Sequence, residues 1–216
     1  MPKLNVLNAV TGYQEAVKIK EELAKTGSDF TEQKWATANT IAKLHPKRLT
    51  LEVSEVIEET DTTKTFRLIS TGSALPPFQA GQYINLFVEI DGVETARPYA
   101  ISSSSSQRDY YDLTVKRVPG GFVTHYLLDN VETGHQFLST GPMGTFYHNP
   151  IFHGNDLVFL AGGSGIAPAM SMLKEVLDRE LGYQFHFIYA SSYIDDVIFI
   201  EELRTLAQQN KNFKLT

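Results

Sequence analysis

The sequence predicts a β domain followed by a partial, doubly wound parallel α/β domain, with a helical extension in front. Three observations carry this expectation. Between Leu49 and about Thr140, six short runs rich in β-branched and aromatic residues recur at roughly ten-residue spacing. After Pro150, short apolar runs alternate with longer amphipathic stretches in the order βαβαβ. Ahead of Leu49, the apolar residues recur at helical intervals instead.

The extension, residues 1–45, reads as two helices. Thr11 and Gln14 have capping-box spacing, and Tyr13, Ala16, Val17, Leu23 and Ala24 follow on one face. Asp29 and Glu32 are placed to cap a second helix carrying Trp35, Ala38, Ile41 and Ala42. His45-Pro46 closes it, because the residue before proline avoids helical angles. Such a hairpin either packs on the following domain or docks a partner.

The β domain, residues 46–150, is expected to carry strands at RLTLEVSEVIEE, TTKTFRLIS, YINLFVEI, ARPYAIS, YDLTVKRV and HQFLSTG. Gly, Pro, Ser and Asp punctuate them, as at Asp91-Gly92, and Ser102–Ser106 reads as loop. One helix, FVTHYLLDNV at 122–131, interrupts the series. The spacing suits a small sandwich or barrel. In residues 151–216 the expected strands are 156–161, 183–191 and 212–216, with helices over 167–181 and 195–210 between them. That is the first half of a parallel doubly wound sheet.

Bulk composition excludes several functions. A net charge of −6 argues against nucleic-acid binding, which needs a basic face. With no cysteine, these residues offer no disulfide, iron–sulfur or thiolate site, and the six histidines have no metal-ligand spacing. No apolar run is long enough for a transmembrane helix, and MPKLNVLNAV lacks the core of a signal peptide, so a cytoplasmic location is expected.

Three stretches carry chemistry. LAGGSGIAPAM, residues 160–170, is a Gly-rich turn from a strand into a helix whose free amides suit a pyrophosphate. VKRVPGGFVTHYLLDN, residues 115–130, ends a strand on Lys116-Arg117, turns at Pro-Gly-Gly and opens a helix with Thr124 in its first turn. Amides at Gly121–Val123 and the Thr124 hydroxyl can cradle a second pyrophosphate, although a plain turn and cap have the same sequence. In ETARPYAISSS, Arg97 and Tyr99 are two apart on a strand and share a face, presenting a guanidinium and a ring.

In this order, with STGPMGTF at the domain junction, the three stretches make residues 47–216 resemble the ferredoxin–NADP reductase superfamily. The likeness is to its oxygenase-reductase and flavohaemoprotein-reductase branches. It implies a six-stranded antiparallel Greek-key flavin-binding barrel before a partial nucleotide-binding domain. It also implies FAD as cofactor and NADH or NADPH as co-substrate. By the resemblance, Arg97 contacts flavin phosphate, while Tyr99 packs on the isoalloxazine between Pro98 and Ala100. Val115, Lys116 and Arg117 lie beside the flavin, and Gly121, Phe122, Val123 and Thr124 bind its pyrophosphate. Gly162, Gly163, Ser164, Gly165, Ile166 and Pro168 form the turn for the nicotinamide dinucleotide.

The sequence departs from that pattern in three places. Ala100 stands where a Ser or Thr is usual near the flavin N5, with Ser102 or Ser103 as candidate substitutes. Ser192 replaces an arginine that favours a 2′-phosphate, which tilts the expectation toward NADH. Only three of the five nucleotide-domain strands are present, so the sequence is expected to be a C-terminally truncated portion of a longer reductase, or completed by another subunit.

The function implied is a flavoprotein reductase that takes hydride from NAD(P)H and passes single electrons to an iron–sulfur, haem or other acceptor. The acceptor is a protein or domain, a [2Fe–2S] ferredoxin-like one among the candidates. Two other readings stay open: a flavin-binding electron-transfer subunit that does not oxidise NAD(P)H, and a non-catalytic partner-docking module. No side chain is assigned as an acid or base, because the cofactors carry the chemistry.

Overall fold

A computed structural model describes residues 13–26, 39–42, 48–72 and 74–216. Met1–Lys43 and Leu44–Thr216 form two compact units. In the first, helix α1 spans Tyr13–Thr26, with Glu15 in its first turn and Lys25 in its last, charges that suit the helix dipole. Residues 39–42 are also helical. The caps and apolar positions expected of the second helix, Asp29, Glu32, Trp35 and Ala38, lie outside the described residues, as do Thr11, His45 and Pro46.

The second unit begins with a six-stranded antiparallel sheet. Its strands are β1 (Leu49–Thr60), β2 (Thr63–Ser70), β3 (Tyr83–Ile90), β4 (Val93–Ala100), β5 (Tyr111–Lys116) and β6 (Gln136–Ser139). They lie in the order β4-β3-β6-β1-β2-β5, in which β6 returns to sit between β3 and β1. Asp91 and Gly92, both at positive φ, make the two-residue turn joining β3 to β4, the turn chemistry that matches strand twist. Past β4, a bridge from Ile101 to Leu113 joins the two ends of the sheet into a partly closed barrel.

Alternation puts Leu49, Leu51 and Val53 of β1, and Ile84, Leu86, Val88 and Ile90 of β3, into one core. Helix α2 (Phe122–Asn130) adds Val123, Leu127 and Leu128 to it. Each of these side chains contributes about 2 kcal/mol on burial.

The chain then forms a three-stranded parallel sheet, ordered β7-β8-β9, from β7 (Asp156–Gly162), β8 (Gln184–Ala190) and β9 (Phe213–Leu215). Strand β7 is therefore an edge of this sheet, and Val158 and Leu160 on it are exposed. Helix α3 (Ile166–Asp178) follows β7 through a short 3-10 turn, and helix α4 (Ile200–Gln209) follows β8. Ile166, Ala169, Met170 and Leu173 repeat at helical spacing and pack on Phe185, Phe187 and Phe213 of the sheet.

Two boundaries differ from the sequence reading. The helix expected over 195–210 begins at Ile200, because Phe199 adopts a left-handed conformation (φ 62°) and Ile194–Asp196 form a separate 3-10 turn. The helix expected over 167–181 ends at Asp178, with Glu180 at positive φ turning the chain back. The serine run at 102–106 is a loop, but Ser102 to Ser105 are buried in it. Ser103 accepts on its carbonyl a 2.7 Å bond from the Ser171 hydroxyl on α3. Ser106 donates to Asp178 at 2.7 Å, so this loop seats the parallel-sheet lobe on the barrel.

Candidate functional site

Strand β4 carries the first group of expected residues. Arg97 and Tyr99 pair across the ladder with Leu86 and Ile84, both core residues, so the two lie on the core-facing side of the sheet at its β4 edge. There Arg97 stays exposed, while Tyr99 packs against the barrel core and is half-buried. The Arg97 guanidinium donates to Thr95 Oγ1 at 2.9 Å and to the Ala96 carbonyl at 2.8 Å, which fixes its base and leaves further N–H donors. Burial pushes the Tyr99 phenol up to about 12, against a smaller opposing effect of Arg97, so the ring is neutral. Pro98 is exposed and Ala100 partly buried beside it.

The second group lies where β5 ends. Val115 is a core residue and Lys116 is the last residue of the strand. Gly120, at φ 68°, turns the chain into α2. Gly121 caps that helix without a side-chain bond, and its position is crowded. A Cβ there would stand 2.6 Å from Thr124 Oγ1 and 2.9 Å from the Val118 carbonyl oxygen, so only glycine fits. The Thr124 hydroxyl oxygen accepts the Val118 amide at 3.2 Å, which closes the turn and still leaves its own proton to donate. The first-turn amides of Phe122, Val123 and Thr124 have no intrahelical partner, as at any helix start. Phe122 is half-exposed.

Arg117, expected beside the flavin at the strand end, has a protein partner of its own. It forms a bidentate pair with Asp129 on α2, at 2.9 and 2.5 Å. Helical geometry places Asp129 opposite the strand end, and its carboxylate satisfies the guanidinium fork. Ser102 and Ser103 are likewise committed. Ser102 Oγ donates to the Asp112 carbonyl at 3.1 Å, and Ser103 Oγ accepts the Asp112 amide at 3.2 Å. Both are almost fully buried.

The third group is the Gly-rich turn. Gly162 ends β7, Gly163 takes φ 52°, and Gly163–Gly165 form one 3-10 turn into α3. Ser164 and Gly165 are exposed, Pro168 is partly buried, and Ile166 anchors the helix start in the core. The positive φ at Gly163 is a backbone state that side chains resist. Tyr189, at the end of β8, holds this turn: its hydroxyl donates to the Gly163 carbonyl at 3.0 Å and accepts the Ile198 amide at 3.2 Å.

The second and third groups meet at Lys116. Its ammonium nitrogen lies 3.8 Å from where a Cβ on Gly163 would stand. Its ion-pair partner is Asp196, in the 3-10 turn after β8, at 2.5 Å. Sequence reasoning missed Asp196 and Tyr189. An Asp-Asp pair ahead of an apolar run reads as a helix start, and a strand tyrosine reads as packing.

An exposed guanidinium, a half-buried ring, a glycine cradle at a helix start and a second glycine turn thus suit a flavin dinucleotide and a nicotinamide dinucleotide. Among the described residues no group of three or more His, Cys, Asp and Glu is placed to hold a metal, and no helix is long and apolar enough to cross a membrane.

Comparison with known proteins agrees with this arrangement. Residues 48–148 match the model of an oxidoreductase FAD-binding domain, and residues 159–216 that of an oxidoreductase NAD-binding domain. The chain is 38% identical over 162 residues to the glycine betaine monooxygenase reductase subunit of Pseudomonas aeruginosa, covering 74% of this chain and 44% of that one. It therefore spans less than half the length of that relative. The FAD/NAD-binding domain of nitric oxide dioxygenase from Vibrio cholerae superposes with a TM-score of 0.71 at 26% identity, over 78% of this chain and 72% of that one. Phthalate dioxygenase reductase, described as moving electrons from pyridine nucleotides to [2Fe–2S], shares the fold at a TM-score of 0.67 and 24% identity, over 78% and 51% of the two chains.

Proposed function

Because the chain belongs to the ferredoxin–NADP reductase-like family of oxidoreductases, with an FAD-binding domain followed by an NAD-binding domain, we propose that it is the flavin- and nucleotide-binding part of an NADH-dependent reductase serving a one-electron acceptor. The boundary between the two domains is read at about residue 150. The observation that carries the proposal is the position of Lys116, which ends a barrel strand and stands against the Gly163 turn of the other lobe. The two glycine turns thereby face one junction.

Bound FAD would supply the redox chemistry, taking two electrons as a hydride and releasing them singly. The protein's share is binding and alignment. Arg97 and the first-turn amides of α2 are the donors for the flavin phosphates, with Thr124 adding a hydroxyl. The neutral Tyr99 ring gives the flavin an apolar face and brings no competing charge. At Ala100 the flavin meets a methyl group in place of a hydroxyl. Amides of the 163–166 turn receive the dinucleotide phosphates. Ser191–Asp196 carries no cation to pair a 2′-phosphate, which supports NADH over NADPH. The acceptor is an iron–sulfur, haem or other redox protein or domain, as suits a relative that is the reductase subunit of a monooxygenase.

The test is the visible spectrum of the FAD-reconstituted protein before and after anaerobic NADH. Bleaching of the yellow flavin by NADH, and much slower bleaching by NADPH, is the expected result. A yellow protein inert to NADH but reduced by dithionite removes NADH oxidation from the proposal. A protein that takes up no FAD overturns it altogether.

A further inference from the structure

Resting on the reading that the 162–168 turn takes the dinucleotide, we infer that Asp196 is a positioning residue: its carboxylate clasps the nucleotide lobe to the barrel and sets the register in which nicotinamide meets flavin. Asp196 sits in the 3-10 turn Ile194–Asp196, between β8 and α4. All three side chains that bond its carboxylate come from the barrel. Thr62 and Thr60 donate their hydroxyls to Oδ1 at 2.6 and 3.0 Å, and Lys116 donates to Oδ2 at 2.5 Å. Thr60 ends β1, Thr62 lies in the turn to β2, and Lys116 ends β5.

The main chain of Asp196 is bonded within its own lobe. Its carbonyl accepts the Ser191 hydroxyl at 3.3 Å, and its amide donates to the Tyr193 carbonyl at 3.3 Å. Two residues on, the Ile198 amide reaches Tyr189, whose hydroxyl holds the Gly163 carbonyl. A continuous path of bonds thus runs from the barrel, through Asp196, to the dinucleotide turn. A second path is direct, since Lys116 itself lies against Gly163. Burial works to raise the pKa of Asp196, but the bonds from Lys116, Thr62 and Thr60 outweigh it and hold the carboxyl below the usual range, so the clasp is charged at neutral pH.

Hydride transfer needs its reacting atoms about 3–3.5 Å apart, and a slip of about 1 Å costs on the order of a hundredfold in rate. The lobe interface is where such a slip would originate. The clasp therefore acts on the rate of hydride transfer more than on binding of either dinucleotide to its own lobe.

The test compares the wild-type chain with Asp196→Asn, which keeps the shape and removes the charge, and with Thr62→Val, which removes only one donor. Without any cofactor, amide hydrogen exchange of residues 60–63 and 190–198 is expected to rise together by about tenfold in Asp196→Asn, while the β1 core residues 49–53 keep their protection. Thr62→Val shifts the same two segments by less. In the FAD-loaded protein at saturating NADH, flavin reduction slows by about tenfold or more in Asp196→Asn, while ADP-ribose binds within about twofold of wild type. Unchanged exchange in both segments overturns the clasp, as does loosened exchange with an unaltered reduction rate. A wild-type protein that NADH does not reduce defeats the functional reading instead, and the exchange result then decides the clasp alone.

Discussion

The phenol of Tyr189 donates to the carbonyl oxygen of Gly163 at 3.0 Å and so braces a glycine held at φ 52°. The same hydroxyl is the acceptor for the amide of the buried Ile198. In Tyr189→Phe the Gly163 carbonyl keeps the Ile166 amide, but the Ile198 amide loses its partner. An unsatisfied buried amide costs about 1–3 kcal/mol, which should lower the melting temperature by several degrees. Because the turn loses its brace while the direct contact of Lys116 with Gly163 remains, KM for NADH should rise by about three- to tenfold with a smaller loss in kcat. Steady-state kinetics over a range of NADH concentrations check this.

Gly121 and Gly163 are both needed, for different reasons, and alanine should separate them. Gly121 has an ordinary φ of −76°, so its difficulty is space: a Cβ meets Thr124 Oγ1 at 2.6 Å. Gly121→Ala should displace Thr124 from the turn and reduce the flavin retained through gel filtration. At Gly163 nothing lies closer than 3.8 Å, so the cost of alanine is the left-handed backbone, about 1–2 kcal/mol. Gly163→Ala should keep its flavin and lose NADH affinity. Measured flavin absorbance and NADH titration give opposite patterns in the two variants.

Local signals made most of the architecture legible. Strict alternation in β3 and the Asp91-Gly92 turn dictate a hairpin with little freedom. Glycines 162, 163 and 165 between an apolar run and an amphipathic helix leave few alternatives to a strand–turn–helix. Long-range polar pairing was not legible. Five consecutive serines look like a solvated loop, yet Ser102 to Ser105 are buried. The Thr114 hydroxyl and the Asp112 backbone, nine or more residues away, supply partners to Ser102 and Ser103, whereas Ser104 bonds Ser106 and the Ser105 hydroxyl is buried without a partner. The pairing of Arg117 with Asp129, twelve residues on, likewise has no local signal. Asp196 carried no local mark of its role, since its three donors lie at least 80 residues earlier in the chain.

The ion pair of Arg67 and Asp112 gives a stability prediction. Arg67 lies over the Tyr110 ring at 4.0 Å and holds the almost fully buried Asp112 through bonds of 2.9 and 3.1 Å. Burial pushes the Asp112 carboxyl up despite those bonds, so the carboxylate depends on its partner. Arg67→Met keeps an unbranched stem but removes the guanidinium that lies over Tyr110 and leaves a buried charge uncompensated. The loss should be about 3 kcal/mol, at the lower end for such a pair because Arg67 itself is partly exposed. Urea unfolding at neutral pH measures it. At pH values low enough to protonate Asp112, the difference from wild type should shrink.

Glu59, at the far end of β1, should give stability a pH dependence of opposite sign to the usual carboxylate. Desolvation raises its pKa, the Thr65 hydroxyl bond at 2.6 Å offsets part of that, and Glu202 on α4 adds repulsion. Lys174 on α3 opposes these last effects weakly, and Asp112 reinforces them. A carboxyl whose folded value lies above its unfolded one favours the fold when protonated. Its contribution is fully present below the unfolded value near 4.5 and is lost as pH rises through the raised folded value. Thr65, Thr114 and Ser102 continue from Glu59 as hydroxyls 2.8 and 2.9 Å apart, and each can reverse its donor direction as Glu59 changes charge. The chain therefore remains bonded in both states, and the penalty is desolvation rather than a broken bond. Glu59→Gln fixes the neutral form. It should match wild type in acid, exceed it at neutral pH, and flatten this component of the stability profile. Thermal unfolding from pH 4 to 8 on both proteins decides the matter, and a Gln variant less stable than wild type at neutral pH would falsify the assignment.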